Sequence, residues 1–307
     1  MTPDARRRWV GEGVMMVTVL LMGSSYPFAK EVLATMSPLL YSGSRYVIAG
    51  LFLFGALAVM RQPIALPRRD WLPIVLLSIV GVAAFQAFWG LGMARTAPSI
   101  GSIVMTTTTA FSAILASLSG RRLSALGWLG IAVAFAGVVI VVNNSLSHIT
   151  LALDNVSGAL FWLLSAFLWA LYVERCAPFN ARLGTLRVFA WTSLIGSLLL
   201  TGLAACIDSF SEFGHLSGQQ WGYWLYTAIF PVGVAFMGLS FGFERLGISR
   251  VMVYMYLIPI AAVALAALFF GDPLTSARVL GGAIVLLGVI LTRVALDRAA
   301  KRAMRDL

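Results

Sequence analysis

Residues 95–137 read RTAPSIGSIVMTTTTAFSAILASLSGRRLSALGWLGIAVAFAG, and residues 245–288 repeat the pattern as RLGISRVMVYMYLIPIAAVALAALFFGDPLTSARVLGGAIVLLG. At an offset of 150 or 151 positions, the matched pairs are Arg95 with Arg245, Ser99 with Ser249, Gly120 with Gly271, Leu123 with Leu274, Gly130 with Gly281 and Gly137 with Gly288. Glycines that recur in order within two apolar segments indicate one packing unit that is used twice. The chain is therefore predicted to consist of two similar halves.

The composition is that of a membrane protein. Of the 307 residues, 60% are hydrophobic and 11% are charged, whereas a soluble domain carries about 25% charged residues. So few charges cannot cover a surface that faces water, and the surrounding solvent must be lipid. The formal net charge of +10 comes from short basic clusters between apolar runs, which is the pattern of membrane loops. We therefore expect an all-α polytopic membrane protein that binds no nucleic acid.

Ten apolar segments of about 20 residues divide the chain, and each must be a helix because lipid offers no partner to open backbone groups. The segments are 11–33, 38–60, 70–92, 97–118, 124–143, 156–177, 185–206, 221–243, 249–270 and 275–295. They form two five-helix repeats, residues 11–143 and 156–295. An N-terminal cytoplasmic tail, residues 1–10, and a basic cytoplasmic tail, residues 296–307, complete the predicted organisation.

The basic residues assign the faces of the membrane. Of the 22 Lys and Arg residues, 18 fall in the two tails and in the loops that follow even-numbered helices. Lys30, Arg95 and Arg278 fall on the other side, and Arg45 lies inside the second span. Because Lys and Arg concentrate on the cytoplasmic side, both termini are predicted to lie in the cytoplasm.

The two halves are expected to have opposite orientations in the membrane, since five helices per half is an odd number. Arg95 and Arg245, which match in the repeat, then fall on opposite faces. Inverted repeats related by a pseudo-two-fold axis in the membrane plane are the architecture of many secondary transporters. We therefore expect a transporter, and the alternative is a duplication that only stabilises a helical bundle.

Ionisable side chains are scarce at the middle of the predicted spans. Those near the helix ends are Glu12, Lys30, Glu31, Glu174 and Glu244. Arg45 lies about two turns into the second span, either as an anchor that holds the helix or as a functional group. Transport of cations or protons generally uses buried Asp, Glu or His, and no carboxylate falls at the centre of a span. This pattern favours a neutral or zwitterionic solute.

Polar and aromatic side chains at depth are the candidate lining of a substrate pathway. These are Ser24, Ser25, Tyr26, Phe85, Gln86, Trp89, Thr107, Trp162, Trp169, Tyr172, Phe236 and Tyr254. Gln86 is the sharpest candidate, because a buried amide must be hydrogen-bonded. Pro27, Pro231 and Pro259 are predicted hinges or gates, because each removes a backbone hydrogen bond. The alternative for the rings is ordinary core packing, and for the threonines it is bonding to their own helix.

Neither a metal site nor a cofactor is indicated. Cys176 and Cys206 fall near opposite faces, too far apart for a disulfide, and no His/Cys spacing is typical of metal binding. An integral-membrane enzyme would need a cluster of His, Asp or Glu near one interface, and the sequence offers none. We therefore expect no metal, no cofactor and no enzymatic activity.

Several motifs resemble those of the drug/metabolite transporter superfamily, in its EamA-type branch. GDPLT at residues 271–275 resembles the Gly-acid turn before the last helix, and residues 38–45 resemble the Pro…Arg pattern of the second helix. Residues 23–25, Gly-Ser-Ser, resemble the first-helix Trp-Gly-Ser pattern, with Met22 in place of Trp. In the first repeat, Arg121 stands where the acid would be.

The resemblance covers about residues 15–295 and implies export of small metabolites, often amino acids, across a bacterial inner membrane. The aromatic residues at depth are similar to those of the branch that exports aromatic amino acids. We therefore expect an alternating-access exporter of neutral or zwitterionic metabolites, above all large or aromatic amino acids. The alternative is export of drugs or other metabolites on the same fold. The expected partners are the small-molecule substrate and the lipid bilayer, with a monomer as the starting hypothesis.

Overall fold

The computed structural model describes residues 3–118, 123–144 and 153–303, which form ten long helices. These are α1 Pro3–Val32, α2 Pro38–Val59, α3 Arg68–Arg95, α4 Pro98–Leu118, α5 Ala125–Asn143, α6 Leu153–Leu183, α7 Thr185–Ile207, α8 Gly218–Leu246, α9 Ile248–Met255 continued by Ile258–Phe270, and α10 Ser276–Ala303. Within the described residues, nine helices are long and apolar enough to cross a membrane. The remaining one, α1, carries the polar Gly-Ser-Ser-Tyr-Pro stretch.

The outer surface of the bundle is apolar, as a lipid environment requires. Leu72, Val139, Leu160 and Leu268 are each more than half exposed. A soluble monomer rarely exposes so many large apolar side chains together. The predicted all-α polytopic architecture is therefore confirmed.

Irregularities of the helical backbone recur at the spacing of the sequence repeat. A π-helical turn interrupts α3 at Ile79–Ala84, and another interrupts α8 at Ile229–Val234. The helical pattern of α4 breaks at residues 106–107, and that of α9 breaks at residues 256–257. Each pair is separated by the same 150 positions that relate the two halves in sequence. The two halves therefore share the same helical unit, including the positions of its π-helical turns and helix breaks.

The packing of the helices has the symmetry of an inverted repeat. α1 of the first half packs against α8 and α9 of the second, and α6 of the second half packs against α3 and α4 of the first. α2 packs against its counterpart α7, and α5 packs against its counterpart α10. Exchanged first helices and two self-matched pairs are the arrangement that a pseudo-two-fold axis produces. We call the side where α1 begins and α10 ends the terminal face, and the other side the opposite face.

The repeated glycines allow a close contact between α5 and α10. A Cβ atom built on Gly137 would lie 2.8 Å from the carbonyl oxygen of Gly281, and one built on Gly288 would lie 2.6 Å from the carbonyl oxygen of Gly130. Side-chain carbon atoms do not approach other atoms so closely. Small residues let helix backbones touch in this way within a membrane, so the sequence repeat marks the seam between the two halves.

Replacement of Gly288 by leucine is expected to force α5 and α10 apart and lower the stability of the protein. Overpacking of a close contact costs about 1–3 kcal/mol. The measurement is the melting temperature of purified protein in detergent. Gly202→Leu is the matched control, because Gly202 is exposed on α7 and has open space around it. Equal melting temperatures for the two variants would contradict the packing described here.

Candidate functional site

Buried polar side chains converge on Arg45, which lies two turns into α2 and about 10 Å from the helix start at the usual rise per residue. This arginine is only 2% exposed. Its Nη1 donates to the Ser25 hydroxyl on α1 at 3.1 Å and to the Tyr41 hydroxyl at 3.1 Å, and its Nη2 donates to the Gln86 side-chain oxygen on α3 at 2.9 Å. The guanidinium group therefore joins three helices of the first half.

Aromatic rings enclose the same guanidinium group. Its central carbon lies 4.6 Å from the centroid of the Trp89 ring, 4.9 Å from that of Tyr41 and 5.3 Å from that of Tyr46. Ring faces attract cations through their quadrupole, more strongly where water is excluded. The Tyr46 hydroxyl also accepts a hydrogen bond of 2.9 Å from the Gln86 side-chain nitrogen, so the amide is held from both ends.

The sequence of α2 explains how this cluster forms. Tyr41 and Arg45 are four residues apart and therefore share one face of the helix. The three residues between them are small, and Gly43 lies directly against the backbone of Thr201 on α7. On the other side, Gly90 of α3 lies against the backbone of Pro38. Close approach of α3 and α7 buries the polar face of α2 on all sides.

Three hydrogen bonds tie this cluster to α8 of the second half. They join the Tyr41 hydroxyl to Thr227 Oγ1 at 3.1 Å, Ser24 Oγ to the Tyr226 hydroxyl at 2.8 Å, and Trp224 Nε1 to Ser44 Oγ at 3.1 Å. The three α8 residues lie within the last turns before the π-helical turn at Ile229–Val234. The cluster is thus shared by both halves, next to a weak point in the helix that contacts it.

Aromatic side chains continue from the cluster toward the opposite face. Tyr26 stacks on Trp162 with ring centroids 5.9 Å apart, and Trp89 meets the edge of Trp162 at 5.4 Å. Trp162 is fully buried and fits where Gly92 and Gly101 leave room, because any side chain at those two positions would overlap its indole ring. Its indole nitrogen donates to the hydroxyl of the threonine that directly follows α3, at 2.8 Å.

A second aromatic group continues from the cluster toward the terminal face. Trp169 of α6 is its centre, with ring centroids 4.9 Å from Phe85, 5.2 Å from Tyr172 and 6.3 Å from Phe236. Trp162, Trp169 and Tyr172 lie along one face of α6, because they are seven and then three positions apart, close to whole turns of a helix. The Arg45 cluster therefore lies between two sets of aromatic rings.

The residues proposed from sequence divide into three placements. Ser25, Gln86 and Trp89 contact Arg45 directly. Ser24, Tyr26, Phe85, Trp162, Trp169, Tyr172 and Phe236 belong to the contacts just described. Thr107 and Tyr254 lie in other contacts, since the Thr107 hydroxyl donates to its own helix at Val104 and Tyr254 packs with Met15, Leu239 and Val251.

The three prolines differ in their surroundings. Pro27 lies inside a continuous α1. Pro231 lies within the π-helical turn of α8, and Pro259 follows the break in α9. Two of the three residues proposed as hinges therefore fall at backbone irregularities.

Arg45 is the residue whose role the sequence left undecided, and Tyr41, Tyr46 and Thr227 were not among the candidates. The sequence did contain a signal for Arg45 and for Tyr41. Arg45 is the basic residue placed within a predicted span, and Tyr41 shares its helix face. The role of Thr227 depends on packing between the halves, which no local pattern indicates.

The opposite face of the molecule is closed by polar contacts between helix ends. Lys30 at the end of α1 donates to the carbonyl oxygens of Met93 and Ala94 on α3, at 2.8 and 3.0 Å. Asp272, before α10, pairs with Arg278 and accepts a hydrogen bond of 2.7 Å from a serine hydroxyl at the start of α4. These contacts join α1 to α3, and the start of α4 to the start of α10.

The terminal face contains a cavity of about 350 Å³ between α4 and α6. Its lining residues are Leu115, Leu118, Leu171, Glu174 and Arg175. On the same face, an ion pair between Asp70 and Arg182 joins the start of α3 to the end of α6. None of these lining residues belongs to the Arg45 cluster, and polar contacts join helix ends on both faces.

Comparison with known proteins agrees with this architecture. The model of the EamA-like transporter family matches residues 9–143 and again residues 156–294. An uncharacterized transporter of Archaeoglobus fulgidus is 25% identical over 287 residues, which cover 93% of this chain and 98% of that protein. The uncharacterized inner membrane transporter YedA of Escherichia coli is 23% identical, over 91% of this chain and 89% of its own length. A crystal structure with 20% sequence identity shares the fold, with a TM-score of 0.66 over 92% of this chain and 97% of that one. Since the family pattern accounts for nearly the whole chain in two successive copies, this chain belongs to the EamA-like transporter family.

Proposed function

We propose that this transporter exports small neutral or zwitterionic metabolites from the cytoplasm, above all amino acids with large or aromatic side chains. One observation carries the proposal. A fully buried polar cluster around Arg45 and Gln86 lies between two sets of aromatic rings and is shared by both halves of the inverted repeat. Polar groups buried at membrane depth are costly and generally mark a substrate pathway.

The surroundings of the cluster suit a solute with one polar and one apolar end. The rings of Trp89, Trp162 and Trp169 offer flat apolar surfaces, which favour a planar or bulky side chain. Gln86 and the hydroxyl groups of Ser25 and Tyr41 offer hydrogen bonds to the polar end. A large neutral amino acid has this division of chemistry, and a purely hydrophobic drug does not.

Alternating access would open the Arg45 cluster to one face of the membrane at a time. With both termini in the cytoplasm of a bacterial inner-membrane protein, the terminal face is the cytoplasmic side. The opposite face, closed by Lys30 and by the Asp272–Arg278 pair, is then the periplasmic side. Movement of one half against the other about the pseudo-two-fold axis would break these contacts and open the periplasmic side.

The π-helical turns and prolines are suitable places for this movement to bend the helices. A π-helical turn weakens the regular hydrogen-bond ladder, and proline removes a bond from it. In α8 the two coincide, at Pro231 within Ile229–Val234. That turn begins two residues after Thr227, which is bonded to the Tyr41 hydroxyl. Bending at this point would change the contact between the second half and the cluster.

Purified protein in liposomes is expected to move labelled phenylalanine or tryptophan, and Gln86→Leu is expected to lower the rate roughly tenfold. The reason is that the change leaves a buried donor and acceptor without partners, which costs about 1–3 kcal/mol. The control is Gln219→Leu, because Gln219 is exposed at the start of α8. Two results together would contradict the proposal and favour drug export. Uptake of every amino acid in a panel would stay at the level of empty liposomes, and a resistance screen would detect drug efflux.

The orientation is expected to place both termini in the cytoplasm. Green fluorescent protein fused after Leu307 should fluoresce, because it folds in the cytoplasm. Alkaline phosphatase fused after His215, in the connection between α7 and α8, should be active, because that enzyme needs the oxidising periplasm. Fluorescence lost at the C-terminus and phosphatase inactive after His215 would reverse the assignment of faces.

A further inference from the structure

We propose that Arg45 binds the carboxylate group of the transported solute, so that the transporter recognises its cargo by the acid group and does not require an amino group. This inference rests on the proposed function, because it specifies the cargo of the same site. It goes further, because it predicts that organic carboxylates without an amino group are also accepted.

The first argument is the uncompensated charge of Arg45. Within the described part of the chain, its hydrogen-bond partners are two hydroxyl groups and one amide oxygen, and none is negatively charged. A buried cation without a counter-ion is strongly unfavourable, even when ring faces and neutral oxygens reduce the cost. The site therefore favours a ligand that brings one negative charge.

The second argument is the hydrogen bonds that Arg45 has left to make. Its Nε atom is buried and has no hydrogen-bond partner among the described residues, whereas its Nη2 donates to the Gln86 oxygen. Nε and Nη2 form one edge of the planar guanidinium group, and this edge matches the two oxygens of a carboxylate. The Gln86 oxygen occupies half of that edge as a neutral substitute. A carboxylate would satisfy Nε and could replace Gln86, which keeps Tyr46 as a partner.

The third argument concerns the ammonium group, for which the described contacts of the Arg45 cluster include no carboxylate partner. The carboxylates of Asp70 and Asp272 lie at helix ends and are already paired with arginines. The ring faces nearest the cluster, those of Trp89, Tyr41 and Tyr46, already face the Arg45 cation. An ammonium group brought next to Arg45 would meet a like charge, which disfavours binding. The acid group is therefore the part of an amino acid that the site selects.

The test compares three ligands that share a phenyl group. L-Phenylalanine carries both polar groups, 3-phenylpropionate lacks the amino group, and 2-phenylethylamine lacks the carboxylate. In proteoliposomes, 3-phenylpropionate is expected to compete with labelled phenylalanine within a few-fold of unlabelled phenylalanine. The amine is expected to compete with an apparent affinity at least about tenfold lower, because it cannot make the charge-assisted contact with Arg45. If phenylalanine is transported and the amine competes as well as the acid, the inference is wrong while the proposed function stands.

A second measurement covers the case in which phenylalanine is not transported and the proposed function fails. The melting temperature of the purified protein is measured with each of the three ligands, because a ligand that binds the folded state raises it. Arg45→Gln and Arg45→Lys should each lose most of the shift produced by 3-phenylpropionate, since lysine keeps the charge but lacks the planar edge. Arg95→Gln is the matched control, because Arg95 is exposed at the end of α3. No shift of the wild-type protein by either acid, or an equal shift in the Arg45→Lys variant, would overturn the assignment.

The variants also separate binding from a purely structural role. Removal of Arg45 breaks its hydrogen bonds to Ser25, Tyr41 and Gln86, which costs about 1–3 kcal/mol whether or not Arg45 binds a ligand. We therefore expect Arg45→Gln to melt below the wild-type temperature without ligand, and binding is judged only from the further shift that each acid produces in each variant. If Arg45→Gln fails to fold, Arg45 is structural and the inference is overturned, unless Arg45→Lys folds and selectively loses the response to the acids.

Discussion

The burial of one positive charge in a bundle surrounded by lipid is the constraint that organises this molecule. Arg45 is almost completely removed from solvent, and its charge is distributed over hydroxyl groups, an amide and aromatic rings. Each of these partners must itself be held in place, because a buried polar group without a partner is costly. The hydrogen bonds that hold them extend to α1, α3 and, through Tyr41 and Thr227, to α8 of the other half. A single charge thus connects elements that a transport cycle has to move.

The inverted repeat relates the contacts of Arg45 to movement between the two halves. α5 and α10 form a glycine seam that holds the halves together, whereas α1 and α6 are exchanged between the halves. Contacts at one face can therefore open while those at the other face close, with the seam kept intact. The π-helical turns at equivalent places in α3 and α8 indicate that both halves keep the same capacity to bend.

The sequence predicted the fold well and the site in part, for physical reasons that differ. Apolar length and repeated glycines determine how many helices span the membrane and which pair packs closely, so Gly137 and Gly288 were informative on their own. α6 extends from Leu153 to Leu183, beyond the predicted 156–177, because helices continue past the apolar stretch that hydropathy detects. A polar residue within a predicted span indicates that its side chain lies inside the membrane, but not which neighbouring helix it faces. Thr107 and Tyr254 therefore lie outside the Arg45 cluster, whereas Gln86 lies within it. The bond between Tyr41 and Thr227 depends on how the two halves meet, which one sequence does not reveal.

The central claim is that the centre of the Arg45 cluster faces each side of the membrane in turn. The most direct measurement is the reactivity of a cysteine at position 25, since Ser25 contacts Arg45. The variant carries Ser25→Cys together with Cys176→Ser and Cys206→Ser, which remove the native thiols. A membrane-impermeant thiol reagent should label it when added to the cytoplasmic side and, in a separate sample, when added to the periplasmic side. Labelling from one side only, under conditions in which this variant still transports, would contradict the account.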